Sequence, residues 1–170
     1  LLVLGAIGDD HERCWLKVRI PARPNDAAAW VPANRVQLLP TAWRIVVSRS
    51  ARRLTVYRAG RRLRRFAVVV GAPATPTPAG LFSIVGAWRS PPRSFPGAWI
   101  FGLTAHSDVL SRFEGGNGEI GIHGRGGPSL LDPLGSAASH GCVRLANAAI
   151  GWIAHTIGPR QLPGIPIQVR

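Results

Sequence analysis

The sequence has no methionine, a single lysine (Lys17), a single tyrosine and only two cysteines, Cys14 and Cys142. Two cysteines cannot build the disulfide framework of a small secreted scaffold; at most they form one bridge. No apolar stretch approaches the roughly 20 residues that a membrane-spanning helix requires. The opening Leu1-Leu2-Val3-Leu4-Gly5-Ala6-Ile7-Gly8 is too short to span and lacks the basic flank of a secretion signal. Without even an initiator Met, the chain is expected to be a processed or trimmed piece whose targeting segment is missing. Acidic residues are scarce as well: eight stand against 21 Lys and Arg, a net charge of +13. Such an excess favours polyanions without choosing among nucleic acid, anionic membrane and acidic wall polymer. No helix-turn-helix, zinc-finger or RNA-reading signature accompanies it, so nucleic acid is not an expected partner.

What is present is a globular balance. Apolar residues make up 46% of the 170 and charged residues 17%, enough for one good-sized core or one domain with a small appendage. In the first forty residues Cys14, Leu16, Val18 and Ile20 alternate with Trp15, Lys17 and Arg19, the period of a half-buried strand. That alternation places Cys14 in a core. A loop over Pro21 to Asp26 and a short Trp30-Val31-Pro32 segment follow. Forty residues seldom fold alone. Through Trp15-Leu16-Lys17-Val18 and Trp30-Val31-Pro32 this stretch resembles the C-terminal half of a bacterial SH3-like module. Pro40-Thr41 is the expected linker, giving units 1–40 and 41–170.

From Trp43 onward the chain is strand-rich. Leu54-Thr55-Val56-Tyr57 and Phe66-Ala67-Val68-Val69-Val70 flank a turn at Ala59-Gly60, a hairpin signal. Seven Arg (52, 53, 58, 61, 62, 64, 65) crowd this hairpin, as a solvated, self-repelling edge would require. Thr75-Pro76-Thr77-Pro78-Ala79-Gly80 is a stiff connection into Leu81-Phe82-Ser83-Ile84-Val85. One helix is supported by Ile150, Ile153, Ala154 and Ile157, with Asn147 as its cap and Gly158-Pro159 as its end. Ile165, Ile167 and Val169 alternate in a last strand. The class is mainly β with one or two helices.

The chemistry concentrates between Gly121 and Leu145. Gly121-Ile122-His123-Gly124 is followed, after an irregular loop, by Ser139-His140-Gly141-Cys142-Val143-Arg144. A thiol with a nearby imidazole among glycines is what acyl transfer through sulfur requires. A free Cys titrates near pH 8.5, so at neutral pH only a few per cent is thiolate unless a base assists. His140 and Cys142 are two apart, with Cα atoms about 6.6 Å apart in extended chain, long for a direct hydrogen bond. His123 is free of that constraint, and we take it as the base. Gly124 would leave a backbone carbonyl to orient the ring's other nitrogen. His140 is then an orienting group or an oxyanion donor. The N–H groups of Gly141 and Cys142 are candidates for an oxyanion hole.

A His-Gly followed by Ser-His-Gly-Cys-Val-Arg resembles the signature of L,D-transpeptidase catalytic domains of the YkuD type. Leu54-Thr55-Val56-Tyr57 with Ala59-Gly60, Thr77-Pro78-Ala79-Gly80-Leu81-Phe82, Phe113-Glu114-Gly115-Gly116-Asn117-Gly118 and Ile165-Pro166-Ile167-Gln168-Val169 extend the resemblance over residues 43 to 170. It implies a β-sandwich enzyme of peptidoglycan cross-linking without metal or organic cofactor. Cys142 would attack the carbonyl at the L-centre of a diamino acid in a stem tetrapeptide and expel D-alanine. A second stem's side-chain amine would resolve the thioester. His123 would accept the proton, Ser139, His140, Gly141 and Arg144 would complete the motif, and Arg144 could hold a substrate carboxylate bidentately. The resemblance also implies acylation by carbapenems and a place outside the cell membrane; with such a substrate, the positive charge would help the protein dwell on anionic wall polymers. Arg125 stands where relatives frequently have Thr.

The rival chemistry is a zinc site of His123, His140 and Cys142, which lacks Cys-x-x-Cys spacing. A Cys14–Cys142 bridge would disable the nucleophile. His106 and His155 read as structural or exposed. Trp88 and Trp99 could line a substrate groove, although burial is the commoner fate of such rings.

Overall fold

The computed structural model of the chain describes residues 1–8, 14–113 and 115–170, and within them the regular structure is mostly strand. His11 and Glu114 lie outside the described residues. Strands β1 (Val3–Gly8), β2 (Cys14–Arg19) and β3 (Ala28–Pro32) form a separate antiparallel meander. Leu16 and Val18 of β2 are buried, as alternation requires. Cys14 is exposed and unbridged, not in the core as the alternation placed it. It starts its strand, paired with Gly8 at the end of the β1–β2 ladder, where so small a sheet has little left to cover it.

The larger sheet has eight strands. In chain order they are β4 (Trp43–Ser48), β5 (Arg53–Arg58), β6 (Arg61–Ala67), β8 (Gly80–Arg89), β9 (Trp99–His106), β10 (Glu119–His123), β12 (Val143–Arg144) and β13 (Pro166–Val169). Their order across the curled sheet is β12-β10-β9-β8-β13-β4-β5-β6. The last strand thus enters the middle, parallel to β4 and antiparallel to β8. Two short strands, β7 (Val70–Gly71) and β11 (Ala137–Ser139), pair in parallel beside it.

One face of the sheet carries Ile45, Val47, Leu54, Val56, Phe82, Phe101, Ile122 and Ile167, all essentially inaccessible to water. Helix α1 (Asn147–Ile157) closes that face with Ile150, Ile153, Ala154 and Ile157, the stripe its period foretold. Its N-cap is Ala146, without a side-chain cap; Asn147 is the first helical residue and its carboxamide is engaged elsewhere. Trp99 is buried in this core. Trp88 is 53% exposed and lies across Gly86 and Gly102, where an added Cβ would meet its ring at 2.5 and 3.0 Å.

The hairpin is tighter than the sequence suggests. Strand β6 begins at Arg61, so the arginines themselves form the strand, while Val68, Val69 and Val70 turn inward to the core. The cause is the turn: Ala59 (φ 48°) and Gly60 (φ 77°) are both left-handed, as a two-residue I′ connection demands, and it returns the chain at once. Gly60→Val should lower unfolding free energy by about 1–2 kcal/mol, the left-handed cost for a residue with a Cβ. Ala59→Asn, supplying the pair such turns favour, should shift a urea midpoint the other way.

Candidate active site

Strand β10 sits between β9 and β12, antiparallel to the first and parallel to the second. Ile122 lies opposite Val143 and both enter the core, so His123 and Arg144, themselves paired, project from the other face. One step back along the ladder brings Gly121 beside Cys142, and the Gly121 N–H donates to Cys142 Sγ at 3.4 Å. Cys142 and His123 are therefore diagonal neighbours on adjacent strands. Both line one narrow pocket, of about 40 Å³, which His140, Arg144, Phe95 and Phe113 also wall.

His123 is 5% exposed. Its Nδ1 faces the Gly124 carbonyl at 2.8 Å; a carbonyl only accepts, so Nδ1 carries the proton and Nε2 the lone pair. Burial pushes its pKa down to about 4; the Gly124 and Pro96 carbonyls oppose that fall and the Arg144 guanidinium adds to it. The imidazole is thus neutral at physiological pH.

The Gly124 peptide is itself held. Its N–H side, the Arg125 amide, donates to Asn147 Oδ1 at 3.1 Å, and Ala98 N–H donates to the same oxygen at 3.0 Å. Asn147 Nδ2 donates to Arg125 O at 2.9 Å and to Pro92 O at 3.3 Å. A Cβ at Gly124 would lie 2.1 Å from Asn147 Oδ1, which explains the glycine. The Arg125 side chain turns away, donating to the carbonyls of Ser129, Leu130 and Asp132 and shaping the following loop.

The turn that presents Cys142 is equally fixed. Ser139 Oγ donates to Cys142 O at 2.6 Å and accepts from Gly141 N–H at 3.1 Å. The Gly141 N–H thus serves this turn in the present geometry. Thr77 Oγ1 donates to Gly141 O at 2.8 Å and accepts from Gly71 N–H at 2.9 Å, while Thr75 Oγ1 donates to Ser139 O at 3.1 Å. Gly141 (φ 122°) could carry no Cβ without meeting Ile120 Cδ1 at 2.7 Å. His140 is exposed and stacks on Phe113, ring centroids 4.9 Å apart.

Arg144, read from sequence as a carboxylate receptor, is 4% exposed and its guanidinium is ion-paired with Asp132 and lies 4.9 Å over the Phe95 ring. Asp132, Thr77 and Asn147 were not legible as site residues. Thr77 stood in a segment read as a connection and as part of the family resemblance, with no role of its own; Asn147 was read as a helix cap, and nothing in the sequence marks Asp132. His106 is buried, and exposed His155 meets Trp99 edge-on at 6.1 Å, away from the site. Among the described residues no group of three or more His, Cys, Asp or Glu is arranged to hold a metal ion, and neither Cys14 nor Cys142 is in a disulfide.

A thiol and a neutral, oriented imidazole thus line one pocket. The model of the L,D-transpeptidase catalytic domain, YkuD, matches residues 42–169, and the chain belongs to that family. It is 32% identical over 115 residues to a Bacillus licheniformis protein assigned as an L,D-transpeptidase, YkuD, the match covering 68% of this chain and 60% of that protein. The chain therefore spans less than two thirds of that relative. In fold it resembles Bdellovibrio bacteriovorus Bd1075 (25% identity, TM-score 0.56, 76% of this chain and 48% of that one). It also resembles the L,D-transpeptidase LdtMt1 solved with imipenem (22% identity, TM-score 0.56, 93% and 67%).

Two expectations follow. Unfolded His123 titrates near 6.5, so between pH 6.5 and 4 the unfolded chain binds a proton that the folded chain refuses. Stability should fall as pH drops through that window, by about 3 kcal/mol in full, and the fall should be absent from His123→Gln. Asn147→Ala should slow Cys142 acylation about tenfold, one lost hydrogen bond's worth of orientation, and Asn147→Asp, which keeps the acceptor, should lose less.

Proposed function

We propose that this chain is a cysteine-dependent L,D-transpeptidase acting on peptidoglycan stem peptides. The observation that carries the reading is the meeting of Cys142 and His123 in one pocket, with Nδ1 locked on Gly124 O and Nε2 left as base. In the first half-reaction Cys142 Sγ attacks the carbonyl at the L-centre of the diamino acid while its proton passes to His123 Nε2. The tetrahedral intermediate collapses, the bond to D-alanine breaks, and His123 returns the proton to the departing amine. A thioester on Cys142 remains. The side-chain amine of a second stem then attacks the thioester carbonyl and gives His123 a proton; the C–S bond breaks, the sulfur takes that proton back, and the new amide departs. Water or another amine in the same place gives hydrolysis or exchange.

His140, on the rim and stacked on Phe113, is placed to donate to the developing oxyanion. Ser139, Gly141 and Gly124 act by holding the nucleophile's turn and the base. Arg144 contributes positive potential beside His123, and a substrate carboxylate would reach it in competition with Asp132. The site lies in residues 41–170; residues 1–40 we read as an SH3-like appendage, and the substrate puts the enzyme outside the cell membrane. That a structural neighbour was solved with imipenem favours carbapenems as acylating inhibitors. Intact-mass measurement after incubation with a carbapenem or a tetrapeptide stem should give one adduct on Cys142. Cys142→Ala should give none, and an adduct-free wild type would sink the reading.

The basic hairpin supports a second contact. Arg44, Tyr57 and Arg62 lie in one row across β4–β6, with Arg65 beside Thr55 in the next, at the sheet edge remote from β12. We infer that this face dwells on anionic wall polymers. Charge reversal at Arg62 and Arg65 should reduce retention on isolated walls severalfold at low salt while leaving acylation unchanged. Equal retention of both proteins counts against it.

A further inference from the structure

One wall of the pocket is the connection between β9 and β10, which contributes Ser107, Leu110, Phe113 and Gly118. That connection is gripped from outside the catalytic domain. Arg23, in the loop between β2 and β3, donates from Nη1 to Ser107 O at 2.6 Å and from Nη2 to Leu110 O at 3.0 Å and Asn117 O at 2.9 Å. Asn25, two residues on, pairs with the main chain of His106 in both directions, as a neighbouring strand would. Its Nδ2 donates to His106 O at 2.8 Å, and His106 N–H donates to its Oδ1 at 2.7 Å. Nδ2 also lies 2.7 Å from Asp108 Oδ1. The guanidinium is packed so closely that a Cβ at Gly118 would come within 2.8 Å of Arg23 Nη2.

We propose that Arg23 and Asn25 are positioning residues for the active site, holding the β9–β10 connection as a wall of the Cys142 pocket. The proposal rests on the acyl-transfer reading of that pocket. Three charge-assisted bonds to main-chain carbonyls, at both ends of one connection, fix where the connection leaves and re-enters the sheet. Phe113 rides on it and stacks on His140, next but one to Cys142. A pocket of about 40 Å³ holds only a few water molecules, so the position of this wall decides what reaches Cys142, and the grip sets that position and its register. The N-terminal sheet is thereby part of the substrate site without touching the reacting atoms.

The test uses the full chain with Arg23→Ala, Asn25→Ala and the milder Arg23→Lys. Amide hydrogen exchange is followed at Ser107, Leu110 and Gly118, together with the concentration dependence of Cys142 acylation by a carbapenem. Both alanine variants should exchange at least about tenfold faster at these amides, with β4–β6 unchanged, because a local grip rather than global stability is lost. The carbapenem concentration for half-maximal acylation rate should rise by a similar factor with the limiting rate little altered, and Arg23→Lys should recover part of both. Unchanged exchange at these amides overturns the proposal, as does faster exchange with wild-type acylation. A wild type that accepts no acyl group refutes the acyl-transfer reading, and with it the functional half of the proposal, while the exchange data still decide whether the grip exists.

Discussion

The peptide unit between Gly124 and Arg125 presents its carbonyl to His123 Nδ1 and its N–H to Asn147 Oδ1. A trans peptide points these groups in opposite directions, so fixing one fixes the other. With the carbonyl in place the imidazole has one usable tautomer and one orientation, and its lone pair faces the pocket. The constraint spreads outward. Gly124 cannot carry a Cβ, Asn147 cannot serve as the cap of α1, and the 92–98 segment is tied to the same carboxamide through Pro92 and Ala98. The helix, the loop and the end of β10 therefore meet at a single side chain behind His123.

The electrostatics of the base change the chemistry that the sequence suggests. Motif reasoning has the imidazole ionising the sulfur and holding it as an ion pair. Burial, with Arg144 alongside, leaves His123 with a pKa near 4. An imidazole of such low basicity is a poor proton acceptor at rest, while the Gly121 N–H on Sγ is a hydrogen bond that favours negative charge on the sulfur. In the proposed reaction the proton would therefore move as sulfur attacks and negative charge passes to the substrate oxygen.

Much of this was legible because the relevant physics is local. The inward stripe of α1, the strand alternation of β4 and β13, and the glycine turn at Ala59-Gly60 are written in neighbours a few residues apart. The pairing of a distant His-Gly with Ser-His-Gly-Cys was legible as a pattern, and a parallel strand pair is what brings it together. What escaped were roles set by sequence-distant partners. Asn147 has the look of a helix cap, and only the 92–98 segment and the end of β10 reveal its use. Thr77 sits in a proline-bounded connection, yet its hydroxyl bridges Gly71 to Gly141, which lies 64 residues beyond Thr77 in sequence. Cys14 kept its place in the alternation but not its burial, since the period of a strand says nothing about how far its sheet is covered.

Arg144 shows how the same gap affects function. In sequence it is a cation next but one to a nucleophile and invites the reading of a carboxylate receptor. In the fold it is buried among Phe95, His123 and the 126–132 loop, with Asp132 already on its guanidinium. Arg144 is the buried partner and Asp132 reaches it from the surface, so the pair stabilises little in net terms, but loss of Asp132 leaves a buried cation without compensation. Asp132 is in turn delivered by a loop that the Arg125 side chain braces through three carbonyls. The two arginines therefore form a chain of dependence: Arg125 shapes the loop, the loop brings the carboxylate, and the carboxylate allows a cation to stay beside a base that must remain neutral. The residue after His123-Gly124 is thus the anchor of a loop, which ties the electrostatics of His123 to that segment.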